Sequence, residues 1–203
     1  MRFTMKFLAL SALICILTGC MGNSSRKNIK DYYMFDAARD NSNTREVAID
    51  QILIVDRFEV AKGFDSNSLI YFNSQGKIET DPYRRYLSDK GQMLSDLTAD
   101  WLSDSRIFTI TATNNTGISG SLRLKGVIKK IYADMQNSEN KQAVLEVKVF
   151  LVSNTDRKPV FWKEYNTAYP IEDDTAKAVV KATDKTISIF LTQLEEDLSQ
   201  LEL

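Results

Sequence analysis

Residues 122–168 alternate apolar and polar side chains through three successive stretches, and residues 176–201 then switch to apolar positions three and four apart. Alternation at period two is the mark of a strand with one buried face, and the later spacing is that of an amphipathic helix. Leu122, Leu124, Gly126 and Ile128 alternate with Arg123, Lys125, Val127 and Lys129. Leu145, Val147, Val149 and Leu151 alternate with Glu146, Lys148 and Phe150. Residues 160–168 form a third strand that Pro170 ends. The connections at 137–140 and 154–157 are rich in Asn, Ser, Asp and Thr, so they read as turns. Three neighbouring antiparallel strands with a polar exposed face are expected. Asp173 and Asp174 open the last helix. Its stripe of Ala176, Val179, Val180, Thr183, Ile187, Phe190, Leu191, Leu194, Leu198 and Leu201 is expected to cover the sheet.

The first half adds shorter elements. Residues 31–36 read as a first strand and 37–45 as a loop. Residues 47–60 carry apolar side chains on both parities, interrupted by Asp56, which predicts a central strand buried on both faces. Residues 69–72 and 77–79 flank the turn 73–76 as a hairpin. Pro82 is expected to end that strand, and Ser88 or Asp89 to cap a helix running to about Ser105 through Leu94, Leu97, Trp101 and Leu102. Residues 107–113 alternate as another strand. The expected fold class is α+β: a single domain, a mostly antiparallel sheet with two long helices packed on it.

Composition removes several chemistries. The 203 residues contain no histidine, which excludes Ser-His-Asp and Cys-His catalysis and histidine metal sites. Two cysteines cannot make a four-ligand zinc site alone. With 26 Lys and Arg against 27 Asp and Glu, bulk positive charge for nucleic-acid binding is missing. The eight glycines are scattered and form no phosphate-binding loop. Asp100 and Asp104 read as a solvated face, and Ser119-Gly120-Ser121 reads as a turn.

The N-terminus reads as an address. Arg2 and Lys6 precede an apolar run at 7–17, shorter than the roughly 20 residues that cross a bilayer and of the size of a signal-peptide core. Leu17-Thr18-Gly19-Cys20 closes the run and resembles the bacterial lipobox, in which the cysteine is lipidated and becomes N-terminal after cleavage. The expected organisation is a lipoprotein signal peptide at 1–19, the lipidated Cys20 with a polar tether to residue 30, and a periplasmic domain at 31–203. Cys15 would leave with the leader, so no disulfide is expected. Residue 21 is Met; an Asp there marks retention in the inner membrane of Gram-negative cells, so the outer membrane is expected.

The order of motifs after this leader is distinctive. Tyr32-Tyr33 is followed by the strand ending Val55-Asp56-Arg57-Phe58, then Leu69-Ile70-Tyr71. Asp81-Pro82-Tyr83-Arg84-Arg85-Tyr86 then precedes the helix ending Leu102-Ser103-Asp104-Ser105-Arg106-Ile107-Phe108. This order resembles the ABC-type transport auxiliary lipoproteins, the outer-membrane lipoprotein partners of MCE-type lipid transport systems, including the paraquat-inducible operons. Two features depart from the family pattern. Tyr86 stands where a Trp is frequent, and Asp89 or Lys90 stands where a Pro is usual.

The resemblance implies a non-catalytic auxiliary subunit with an α+β domain. Its partners would be an MCE-domain protein or the inner-membrane permease, with the membrane reached through the lipid on Cys20. No cofactor, metal or nucleic acid is expected. From the residues themselves, Tyr83, Arg84, Arg85 and Tyr86 are the candidate docking group, because Tyr and Arg bury large areas and still make polar bonds. A homo-oligomer stays open, since edge strands of a small sheet can pair between copies. The alternative function is a lipoprotein that activates a periplasmic enzyme such as a peptidoglycan synthase. Activators of that kind tend to have longer, proline-rich tethers than the proline-free stretch at 20–30.

Overall fold

A computed structural model describes residues 30–39 and 49–202. The leader, Cys20, nearly all of the tether and most of the 37–45 loop lie outside the described residues. In chain order the elements are β1 (Asp31–Tyr33), β2 (Ile49–Val55), β3 (Glu59–Val60), β4 (Ser68–Phe72), β5 (Ile78–Tyr86), α1 (Lys90–Ser105) and β6 (Phe108–Thr113). A 3-10 turn (Asn114–Thr116), β7 (Leu122–Asp134), β8 (Gln142–Ser153), β9 (Pro159–Pro170) and α2 (Ala176–Ser199) complete the chain. Together they make a single α+β domain with one curled, mixed sheet and two helices.

Strand β7 is the spine of that sheet. On one side it pairs antiparallel with β8 over its whole length, and β8 pairs likewise with β9. This is the meander that the alternation at 122–168 predicts. On its other side β7 meets β2, β3 and β4 in turn, each running parallel to it. The expected single strand at 47–60 is therefore broken. Asp56 leaves the ladder and pairs its carboxylate with Arg123 of β7, while its own N–H still reaches Leu124 O at 2.9 Å. Strand β6 returns parallel to β2 after α1, so β2 is central between β6 and β7, and Leu53, Ile54 and Val55 are buried. Strand β5 forms the expected hairpin with β4, and β1 lies parallel along β5 at the sheet's far side.

Pro82 does not end β5, contrary to the sequence expectation. The β4–β5 register shifts between Ser68 and Ile70, and the chain bends in β5 opposite that shift. There the Asp81 Oδ1 atom accepts the N–H groups of Tyr83 at 2.8 Å and Arg84 at 3.0 Å. A proline is tolerated at such an irregularity because no ladder bond is asked of its nitrogen. Strand β7 has a comparable shift between Ile128 and Lys130. It resets the parity, so Leu122, Leu124 and Ile128 before it and Ile131 and Ala133 after it are all buried.

Both helices lie on one face of the sheet. Helix α1 is capped by Asp89, whose side chain accepts Gln92 N at 2.8 Å, and it packs on β2 and β6. Helix α2 packs on β8 and β9. Its cap is Thr175, which accepts Ala178 N at 3.2 Å, and not Asp173 or Asp174. Asp173 acts one step earlier, accepting Thr175 N at 2.8 Å. The predicted stripe is the buried face: Val179, Thr183, Ile187, Phe190, Leu191, Leu194 and Leu198 are all below a tenth exposed. The two helices and the sheet share one hydrophobic cluster, so the opposite sheet face carries neither helix.

Candidate functional site

The bend at Asp81 shapes the segment singled out in the sequence. Asp81 Oδ2 also holds Arg84 Nη1 at 3.1 Å, which raises the guanidinium pKa further. Tyr83 is 45% exposed, Arg84 is exposed and Arg85 is half-buried. Tyr86 is not with them. It is buried at the other side of β5, with its ring 4.8 Å edge-on to Phe35, and burial pushes its hydroxyl pKa well up. Tyr86 is therefore a core residue, and its assignment to the docking group is corrected. The parallel pairing places Tyr32 beside Arg85 and Tyr33 beside Tyr86. Tyr32 is exposed, so Tyr32, Tyr83, Arg84 and Arg85 are the surface group at this edge.

Next to this edge, the helix-free face of the sheet has an apolar groove of about 290 Å³ lined by Phe64, Ile70, Phe72, Ile78 and Tyr132, with Lys130 at its rim. Tyr132 organises it, with Phe64 stacked at 6.0 Å and Phe72 edge-on at 5.9 Å. Lys130 is ion-paired to Glu146 at 2.6 Å. From below, the buried Lys90 ammonium donates to the Phe64 carbonyl at 3.1 Å and so fixes the groove's wall. Burial lowers the Lys90 pKa to about 8, with Asp65 and Asp89 opposing the shift.

The same face carries a second aromatic group at the β9 side. Phe150 and Trp162 are register partners on β8 and β9, and Trp162 is 61% exposed. The Lys148 ammonium lies 5.2 Å from the Phe150 ring and 5.1 Å from the Trp162 ring. The polar exposed face expected for the meander is thus corrected: it holds large rings among its lysines. The signal was present, because Phe150 sits on the polar parity of its strand and Trp162 is the cross-strand neighbour that a register would have placed beside it.

Other charged groups are engaged in structure. Glu195 is buried, receives Arg39 through two bonds of 2.9 and 2.7 Å, and accepts Trp101 Nε1 at 2.8 Å. Asp184 accepts Asp36 N at 3.0 Å, and burial raises its pKa to about 6. The Asp100 carboxyl is pushed up by burial and then by the nearby Asp96 and Asp104 charges. Ser121 Oγ donates to Gln51 Oε1 at 3.0 Å. Among the described residues, no group of three or more acidic or cysteine side chains could hold a metal ion. This arrangement places aromatic area and cations side by side on one surface.

No protein-family model matches the chain, and no curated protein matches it in sequence. Solved structures do share its fold. A protein from Xanthomonas campestris of the DUF330 family superposes with a TM-score of 0.70 at 16% identity, covering 81% of this chain and 92% of its own. An uncharacterised protein matches with a TM-score of 0.66 at 12% identity, over 84% of this chain and 99% of its own. A hypothetical protein from Chlamydia trachomatis matches with a TM-score of 0.52 at 5% identity, over 73% and 98%. The class so defined is an α+β domain with one sheet face under two helices, and the DUF330 structure has that fold.

Proposed function

We propose that this is a lipid-anchored protein of the cell envelope that serves as a non-catalytic docking subunit of an MCE-type lipid transport system. Cys20 carries the anchor, residues 21–30 give reach, and the domain works at the periplasmic face of the outer membrane. The observation that carries the reading is the helix-free sheet face, where aromatic groups and lysines are displayed on a domain whose buried charged groups are tied to structure. The lipobox-like leader and the motif order from Tyr32 to Phe108 support it, as does the fold shared with the DUF330 structure. Among the described residues no helix is long and apolar enough to cross a membrane, which fits attachment through the lipid.

Epistasis tests it. Deleting the gene is expected to raise detergent sensitivity of the host, and deleting the MCE-domain gene as well is expected to add nothing. Additive defects, or no defect, would contradict the reading.

A further inference from the structure

We propose that the lysine-flanked pair Phe150 and Trp162 is the seat for an acidic protein surface with an apolar centre. The proposal deepens the docking-subunit reading and rests on it for the existence of a protein partner. Across β7, β8 and β9, Lys125 stands opposite Phe150 and Phe150 opposite Trp162, while Val127 stands opposite Lys148 and Lys148 opposite Glu164. Two adjacent rows thus bring two rings and two ammonium groups together on the face without helices. Aromatic anchors ringed by polar groups are what energetically dominant interface spots are made of.

Charge then says what the partner presents. The cations on this face pair off in order: Arg123 with Asp56, Lys129 with Glu164, and Lys130 with Glu146. Lys125 and Lys148 have no ion pair within 4 Å among the described residues, and Lys148 lies against both rings. Glu164, the register partner of Lys148, is already held by Lys129. A local positive excess therefore sits on the rings of a chain whose formal net charge is −1. Complementarity asks for carboxylates around an apolar centre.

An anionic lipid surface would offer negative charge too, but position favours a protein. The tether leads into β1, and β1 and β9 are opposite edges of the sheet, separated by β5, β4, β7 and β8. At a strand spacing of about 4.8 Å this sets the seat roughly 24 Å across the sheet from the tethered edge.

The test uses the full lipid-anchored chain in host cells, with Trp162 replaced by the photocrosslinker p-benzoylphenylalanine. The expected result is an adduct to a protein peptide that contains Asp or Glu. The pair Lys125→Glu and Lys148→Glu should cut the adduct at least tenfold with unchanged thermal unfolding. Lys at the partner's crosslinked carboxylate should restore it in that double variant. An adduct that persists in the double variant, an adduct to lipid or to a second copy, or no adduct would each overturn the proposal. If the acidic partner is neither an MCE-domain protein nor its permease, the seat stands and the transport reading falls. If such a partner is caught with the crosslinker at Tyr83 and not at Trp162, the transport reading stands and the seat falls.

Discussion

At the scale of single residues, two positions show how tightly the core dictates side chains. Phe58 is 1% exposed and is enclosed by glycines on two elements. A Cβ on Gly126 would sit 2.6 Å from the Phe58 ring, and one on Gly91 would sit 2.1 Å from the Phe58 carbonyl oxygen. Gly126→Ala is expected to destabilise the fold by about 1–3 kcal/mol, the usual cost of overpacking. A thermal unfolding curve equal to that of the wild type would contradict this. Lys90 gives a pH signature. Its folded pKa of about 8 lies below the ordinary lysine value, so between about pH 8 and 10 the unfolded chain binds more protons. Stability therefore rises with pH across that window, by an amount on the order of 3 kcal/mol, and the destabilisation is at its full size below pH 8. Above about pH 10 the buried tyrosines act the other way, because burial raises Tyr71 to about 12 and pushes Tyr86 and Tyr165 up as well. Urea unfolding at about pH 7.5, 9 and 10 checks it: Lys90→Met is expected to lose the rise. An equal rise in both proteins would contradict the assignment.

At the scale of elements, buried polar contacts decide how helices and the N-terminal segment meet. The Glu195 carboxylate on α2 joins Trp101 of α1 to Arg39, both side chains of the ion pair being less than a tenth exposed. Removing one partner of a buried pair is costly, so Glu195→Ala is expected to lower stability by about 3 kcal/mol. Chemical denaturation measures it, and a loss below the error of the method would contradict it. The elements also show what a single sequence can and cannot disclose. The meander and the α2 stripe are legible because period two and period 3.6 are local properties of the chain. The parallel contacts of β7 with β2, β3 and β4 are not, because they join segments far apart in sequence with no local pattern to announce them. Pro82 misleads for a related reason: its strand continues because Asp81 takes up two amide groups at an irregularity where β5 carries extra residues against β4, and only the pairing register discloses it. Tyr86 reads as one of a surface pair with Tyr83, yet the same irregularity separates their environments.

At the scale of the molecule, the sheet divides the labour. One face is closed by two helices over a continuous core, and the other keeps rings and lysines in water. The edge formed by β1 and β5 carries Tyr32, Tyr83, Arg84 and Arg85, and the opposite edge carries Trp162. Among the described residues strand β9 pairs only with β8, which leaves its outer edge as a place where a further strand could pair. The most direct measurement is a crosslinking pull-down from envelopes of the native host, with Cys20→Ala as the unanchored control. A docking subunit of the proposed kind is expected to recover an MCE-domain protein or its permease, with recovery weakened or lost in the control. Recovery of a cell-wall synthase instead, or of further copies of this chain alone, would contradict it.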